Sequence, residues 1–425
     1  MPAIQQVVAD DPQAGLSSMT LEKPNVPSVV TDAVADWRIK DLETAAERAA
    51  LAAESRILFP TLSLYQDVDW LGVASNKPNE RLVALIDRED GVLQGLAAFH
   101  VHPTRLTFSL GELSLLSVSV QRYALDAEPL TRRSSARTAT DACFSVLADT
   151  LTPKNVVFLG GVPKESALQE LIDDPASALR RKFHVVPFGA EYLRCRVRWT
   201  GDYEAYLSSL STKDRSKLRR ALRRFGEAEH LTGEVRRFQQ ASDIEAFLAA
   251  AAPVSEKTYQ HRLLGLGLTK DGASADEIRE AAARGWFLGH ILRVNGEPAA
   301  FHYGFVFSKC FFMIAAGYDP AYMQNEVGTV LFLEVLKDIE KVGDDIELMD
   351  NLYGGGIYKE RSSNLKTPER HYYLIPKTFR GAILAKSMIA TDRSSRALGD
   401  LLEKYGLKDR IKKLIRRTAA RPKTT

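Results

Sequence analysis

A chain of 425 residues, 45% of them hydrophobic, is too long for one ordinary domain and can fill two cores. Its 57 basic residues nearly cancel 54 acidic ones, so no bulk field selects nucleic acid, and any such partner would need a local basic cluster. Three scattered cysteines, Cys143, Cys195 and Cys310, lack neighbouring Cys or His at ligand spacing, which excludes a disulfide framework and a thiolate metal site. No metal is expected. The opening Met1-Pro2-Ala3-Ile4-Gln5 has neither a basic nor an apolar export region, and no apolar run approaches the roughly 18 residues of a membrane span. The expectation is a cytoplasmic protein.

Residues 1–35 hold short alanine-valine stretches broken by Pro12, Gly15, Pro24 and Pro27, and read as a loose leader. Trp37 to Glu54 reads as helical, and Tyr65 to Val73 as a short amphipathic stretch opening the first globular unit. Strands are predicted at Leu82–Asp87 and Val92–Val101 around Asp90-Gly91, a dipeptide that tolerates the positive φ of a tight hairpin turn. A third apolar run ends near Val120, a helix reaches about Leu151, and Asn155–Leu159 reads as a buried strand.

The second half repeats this order. Phe287–Val294 and Pro298–Phe307 flank Asn295-Gly296, Lys309–Gly317 continues the sheet, and a polar loop leads to a helix over about Thr329–Val342 and a strand over Asp345–Met349. Between the halves, Ser211 to Glu229 is a predicted helix with Leu218, Leu222 and Phe225 on one face and Ser211 as N-cap.

The order of sheet, loop, helix and strand resembles the GNAT acyltransferase core. The run Tyr206 to Arg224, together with Gly317-Tyr318-Asp319-Pro320, Gly328-Thr329 and Tyr358-Lys359, is similar to the CelD/BcsL type of that superfamily, a FemAB-like branch with tandem GNAT folds. Asp69-Trp70-Leu71 and Gly91 to Leu96 are similar to its opening segments, so the likeness spans about Tyr65 to Pro376. The resemblance implies an α+β chain of two GNAT-like domains, each a mixed, mostly antiparallel sheet flanked by helices. Residues 36–200 would form the first and 201–378 the second, catalytic one, followed by basic amphipathic helices over 379–425. It also implies acyl-CoA as donor and an amine as acceptor, taken from a cell-envelope precursor, an amino sugar or a long-chain lipid amine of sphingoid type. Aminoacyl-tRNA is the alternative donor, and the one nucleic acid in view. A non-catalytic scaffold for polysaccharide synthesis is the non-enzymatic alternative.

In such a site the protein orients the amine, takes its proton and steadies the developing oxyanion. Asn325, Val327, Gly328 and Thr329 stand where a GNAT turns backbone amides toward the coenzyme A diphosphate, at a helix N-terminus. The family's Gln/Arg-x-x-Gly-x-Gly/Ala spacing is not met, since Gly328 is the single glycine of the loop; an ordinary helix cap is the competing role. Arg132, Arg133 and Arg137 hold the equivalent loop of the first half, as phosphate ligands or as a solvated surface. Lys257, Tyr259 and His261 are candidates for an acceptor pocket, against a plain polar helix end, and Lys359 joins them as a substrate contact. His302 is a candidate base or a buried structural histidine; Asp350 is a candidate base and Tyr358 a candidate acid for the leaving thiolate, or both are turn residues. Seven basic residues between Lys213 and Arg224 face either an anion or solvent. In the tail, Leu407, Ile411, Leu414 and Ile415 form a stripe among Lys408, Arg410, Lys412, Lys413, Arg416 and Arg417, which fits either docking on the core or lying on an anionic membrane surface. On the membrane reading the enzyme is peripheral on the inner face of the cell membrane.

Overall fold

The computed structural model describes residues 5–7, 35–74, 79–110, 113–228, 230–258, 267–353 and 356–404. In chain order they form β1 (Gln5–Val7), β2 (Trp37–Asp41), α1 (Ala45–Leu58), α2 (Val68–Ala74), β3 (Arg81–Glu89), β4 (Val92–Leu110), β5 (Leu113–Leu125), β6 (Leu130–Thr131), α3 (Ala136–Thr150), β7 (Asn155–Pro163), α4 (Ala167–Asp173), α5 (Ala178–Lys182) and β8 (Phe183–Arg198). There follow α6 (Tyr203–Ser209), α7 (Thr212–Gly226), β9 (Gly233–Phe238), α8 (Ile244–Lys257), α9 (Ala273–Ala283), β10 (Phe287–Val294), β11 (Glu297–Phe307), β12 (Cys310–Tyr318), α10 (Val327–Val342), β13 (Leu348–Asp350), α11 (Ile357–Arg361), β14 (Leu365–Pro376) and α12 (Phe379–Lys404).

These elements belong to two compact units, and neither is continuous in sequence. The first takes residues 29–54, 75–190 and 370–425, and the second 1–28, 55–74 and 191–369. Tyr65–Val73 therefore does not open the first unit. Its Trp70 packs edge-on against Phe305 of the second, 4.9 Å between ring centres.

In the first unit β2, β3, β4 and β5 pair antiparallel in that order, and β7 adds in parallel to β5. The β3–β4 turn falls on Asp90 and Gly91 at φ 50° and 81°, the left-handed pair that the sequence demanded. One face packs Trp37, Phe99 and Leu159 against Phe144 and Leu147 of α3 and Leu168 and Leu171 of α4; on the other, Tyr373 and Ile375 meet Leu384 and Ala385 of α12. The predicted helix over Trp37–Glu54 is corrected at its start. Trp37–Asp41 is an edge strand on β3, because only Trp37 is buried while the alanine-rich helix signal belongs to 45–58.

The second unit repeats the plan. Strands β9, β10, β11 and β12 pair antiparallel, β13 adds parallel to β12, and β8 pairs antiparallel to β13. Asn295 and Gly296 take φ 52° and 84° at the β10–β11 turn. Ser211 caps α7 as predicted, its hydroxyl accepting from the Asp214 amide at 3.1 Å. Leu218 and Phe225 of α7, Val330, Leu333 and Leu336 of α10, and Met349 of β13 share one core on one face of the sheet. Each such side chain contributes about 1.5–3 kcal/mol by leaving water. Helix α8 covers the opposite face, where Phe247 meets Phe287 and Tyr303. Both units are thus mixed, mostly antiparallel sheets flanked by helices. Of the leader, Gln5–Val7 is a strand paired parallel to β9; Tyr259, His261 and the tail stripe 407–417 lie outside the described residues.

Candidate active site

Strands β12 and β13 pair through three residues only, Cys310↔Leu348, Phe311↔Met349 and Phe312↔Asp350. Beyond Phe312, β12 runs on to Tyr318 with β11 on one side and, among the described residues, no ladder partner on the other. A bulge starts the divergence: Tyr303 faces Ala315 and Gly304 faces Met313, which leaves Ile314 as the extra residue and bends the strand. Gly304 makes the bend possible, since a Cβ there would strike the Phe312 carbonyl oxygen. The two strands part here, and the unpaired β12 edge is one side of the gap between them, the candidate cleft.

The chain leaves β12 at Asp319, whose side chain accepts from the Ala321 amide, makes a short 3-10 turn over Pro320–Asn325, and enters α10 through Glu326 at φ 52°. The amides of Thr329 and Val330 donate to the Glu326 carbonyl. Those of Val327 and Gly328 have no acceptor among the described residues; Val327 is fully buried, so the positive end of this 16-residue helix presents one accessible free N–H, that of half-buried Gly328. Gly328 lies against the Tyr318 ring, where a Cβ would sit 3.3 Å from it. Glu326 is turned toward Arg224 of α7 at 3.6 Å, which draws its charge away from that end. Lys257, at the end of α8, donates to Asp319 at 2.7 Å, and this bond holds its pKa above the usual lysine value.

At the fork of the cleft sits a buried polar network. Asp350 accepts from Arg194 Nε and Nη2 at 2.7 and 2.8 Å, from Arg196 Nε at 3.1 Å and from the Leu352 amide at 2.8 Å. Burial opposes its charge, but the two guanidinium groups prevail and keep its pKa below the ordinary carboxylate value. Arg194 also stacks over Tyr353, 4.5 Å from the ring centre, and Tyr65 packs edge-on against Phe312. Glu369 accepts from Arg196 at 3.0 Å and from the Tyr192 hydroxyl at 3.3 Å, and burial pushes its pKa up in spite of these partners.

Two of the sequence candidates for proton transfer are corrected by this geometry. Asp350 is 4% exposed and spends its lone pairs on two arginines and an amide, so it is a clamp rather than a base. His302 is 2% exposed, lies by Phe311 and Phe332 on the α10 side of the sheet, and touches Met313 Sδ with Nε2; burial pushes its pKa down to about 3. So buried a ring is closed to an amine held at the β12 edge. Lys359 donates to the Asn351 and Tyr353 carbonyls at 2.6 and 3.1 Å and so braces the turn after β13, while the neighbouring Tyr358 is exposed. In the first unit Arg133 is buried against Asp87 and Glu89, and Arg137 pairs with Asp174, so neither is available for a phosphate. Strands β5 and β7 there stay paired to Leu125, the last residue of β5.

Sequence reasoning missed Tyr192, Arg194, Arg196 and Glu369, and with them strands β8 and β14. The alternation of Tyr192, Arg194 and Arg196 on one face of β8 was the available signal.

Residues 212–360 match the family model described as Acetyltransferase (GNAT) domain. No curated protein matches the chain significantly in sequence. Among solved structures, a conserved protein of unknown function from Bacteroides thetaiotaomicron VPI-5482 is similar at TM-score 0.51 and 16% identity, over 80% of this chain and 100% of that one. The crystal structure of FemX is similar at TM-score 0.50 and 11% identity, over 79% of this chain and 96% of that one. At these identities the likeness is one of fold, and with FemX it is that of two GNAT-like units in one chain. Residues 212–360 are thus an acetyltransferase domain of the GNAT type, and the chain that carries them is an N-acyltransferase.

Proposed function

We propose that the second unit transfers an acyl group from acyl-CoA to an amine, with the donor in the β12–β13 cleft. The observation that carries this reading is the strand edge Met313–Tyr318 left without a ladder partner among the described residues, together with the free, half-buried amide of Gly328 at the start of α10. That amide would meet the diphosphate, as the N-terminus of a long helix favours an anion. The strand edge would meet the peptide-like arm of the donor, which places the thioester at the fork. There the amine nitrogen attacks the carbonyl carbon, the C–S bond breaks as the C–N bond forms, and the thiolate leaves to be protonated by solvent. The proton lost by the amine passes to solvent. The aromatic walls Tyr65, Phe312 and Tyr353 favour an acceptor with a hydrocarbon part, a long-chain lipid amine of sphingoid type before an amino sugar or another envelope precursor. We place the reaction in the cytoplasm, at the inner face of the cell membrane.

A series of free CoA, acetyl-CoA, decanoyl-CoA and palmitoyl-CoA tests the reading by thermal stabilisation. A ligand at a hundred times its Kd adds about 2.7 kcal/mol, or a rise on the order of 5–10 °C in the melting temperature of a unit this size. Gly328→Val should abolish the rise, and the reading fails if no donor raises the melting temperature of the wild type.

A second reading takes aminoacyl-tRNA as donor. It is favoured by Lys213, Arg215, Lys217 and Arg220 of α7, which have no carboxylate partner among the described residues. Stabilisation by charged tRNA that fades steeply with salt, and none by acyl-CoA, would select it.

A further inference from the structure

The first unit carries an apolar exposure that its core does not explain. Helix α12 opens with Phe379, 86% exposed, and one turn later has Ile383, 53% exposed. A four-residue step puts the two on one helix face. The opposite face is committed elsewhere, since Leu384 and Ala385 are buried in the cluster with Tyr373 and Ile375, and Met388 and Ile389 pack against it. The helix start is fixed in place. The Gly381 amide donates to Thr378 Oγ1 at 3.0 Å, the Ala382 amide donates to the Thr378 carbonyl, and a Cβ at Gly381 would strike the Pro376 carbonyl. Phe379 is therefore held outward by its own helix rather than by a mobile end.

The charges around this pair have one sign. Lys377, Arg380 and Lys386 flank Phe379 and Ile383, and none has a carboxylate within ion-pair distance among the described residues. Burial lowers the pKa of the neighbouring His184, and Lys377 and Lys386 lower it further. The first carboxylate along the helix is Asp392, three turns beyond Phe379. An exposed aromatic and a branched aliphatic side chain ringed by unpaired cations suit an interface with apolar depth and negative charge at its surface. A protein groove would offer the first, and RNA the second; anionic bilayers offer both.

We propose that the start of α12 is a membrane-docking surface, with Phe379 and Ile383 inserting among acyl chains and Lys377, Arg380 and Lys386 meeting anionic headgroups. The surface belongs to the first unit, and the proposal does not rest on residues 407–417. Sedimentation of the full chain with phosphatidylcholine vesicles, with and without about a third of phosphatidylglycerol, tests it. The wild type should bind the anionic vesicles, and Phe379→Ser with Ile383→Ser should weaken that binding at least tenfold. Lys377→Gln, Arg380→Gln and Lys386→Gln should each weaken it about fivefold. Melting temperatures within 2 °C of wild type, as expected of such exposed positions, would show that the fold is kept. The proposal is overturned if the wild type ignores anionic vesicles, if it binds neutral vesicles equally well, or if the double serine variant binds as the wild type does. The last result would assign membrane binding to another segment or the surface to a protein partner.

Discussion

Replacing Asp350 by asparagine separates a clamp from a base. The carboxylate is 4% exposed and receives three charged N–H donors at 2.7, 2.8 and 3.1 Å from Arg194 and Arg196. Asparagine keeps one acceptor oxygen, which can serve Leu352 or one guanidinium but not both arginines, and it leaves two cations facing Glu369 alone. Removing one partner of a buried pair costs about 3–5 kcal/mol. Counting the loss as two charge-assisted hydrogen bonds at roughly 1.5–3 kcal/mol each gives about 3–6 kcal/mol, which overlaps that range. For a unit near 200 residues this is a fall on the order of 6–20 °C in melting temperature. Calorimetry of Asp350→Asn and of the double variant Asp350→Leu with Arg194→Met should show the single change destabilising more than the double, because the double removes one of the two stranded cations and leaves Arg196 on Glu369. Acyl transfer by the single variant, measured well below its melting point, should fall by less than tenfold. A melting temperature within 2 °C of wild type together with a hundredfold loss of turnover would refute the clamp and restore the base.

Three further outcomes are expected. Arg133→Met strands Asp87 and Glu89 in the first unit, so urea unfolding should show a loss of about 3–5 kcal/mol with no change in the Kd for CoA. His302, with its pKa near 3 in the fold and about 6.5 unfolded, binds more protons when unfolded; its contribution is present above pH 6.5 and is lost as pH falls toward 3. Between pH 6 and 4.5 the wild type should therefore lose roughly 2 kcal/mol more than His302→Gln in urea titrations. Gly304→Ala should lower stability by several kcal/mol, or straighten the bulge and cost donor affinity, as read by calorimetry and CoA binding; an unchanged protein would show that the bend does not need glycine.

What was legible in the sequence was local. Asp90-Gly91 and Asn295-Gly296 determine their turns within two residues, and Ser211 caps α7 three residues away, so spacing alone found them. The third turn, Ser308-Lys309, takes φ 46° and 60° without glycine or asparagine, and left no such mark. Short Trp37–Asp41 lost to the stronger helix signal beside it, since its single buried residue shows no alternation to count. The polar network escaped for a different reason. Arg194 meets Asp350 across 156 positions, and each alone looks like a surface charge; only the pairing of β8 with β13 shows that they neutralise each other. The cleft is likewise a property of pairing, three residues of ladder followed by none among the described residues, which no single strand reveals.

Because each unit is assembled from segments drawn from both ends of the chain, the molecule cannot be divided by cutting it in the middle. A fragment ending near residue 200 would lack Tyr372, Leu374 and Leu384 from its cores, and one beginning there would lack Trp70 under Phe305. During synthesis the amino-terminal portion must wait for residues near 370–390 to leave the ribosome before its apolar faces close. Such a chain depends on chaperone holding more than a pair of beads on a string would.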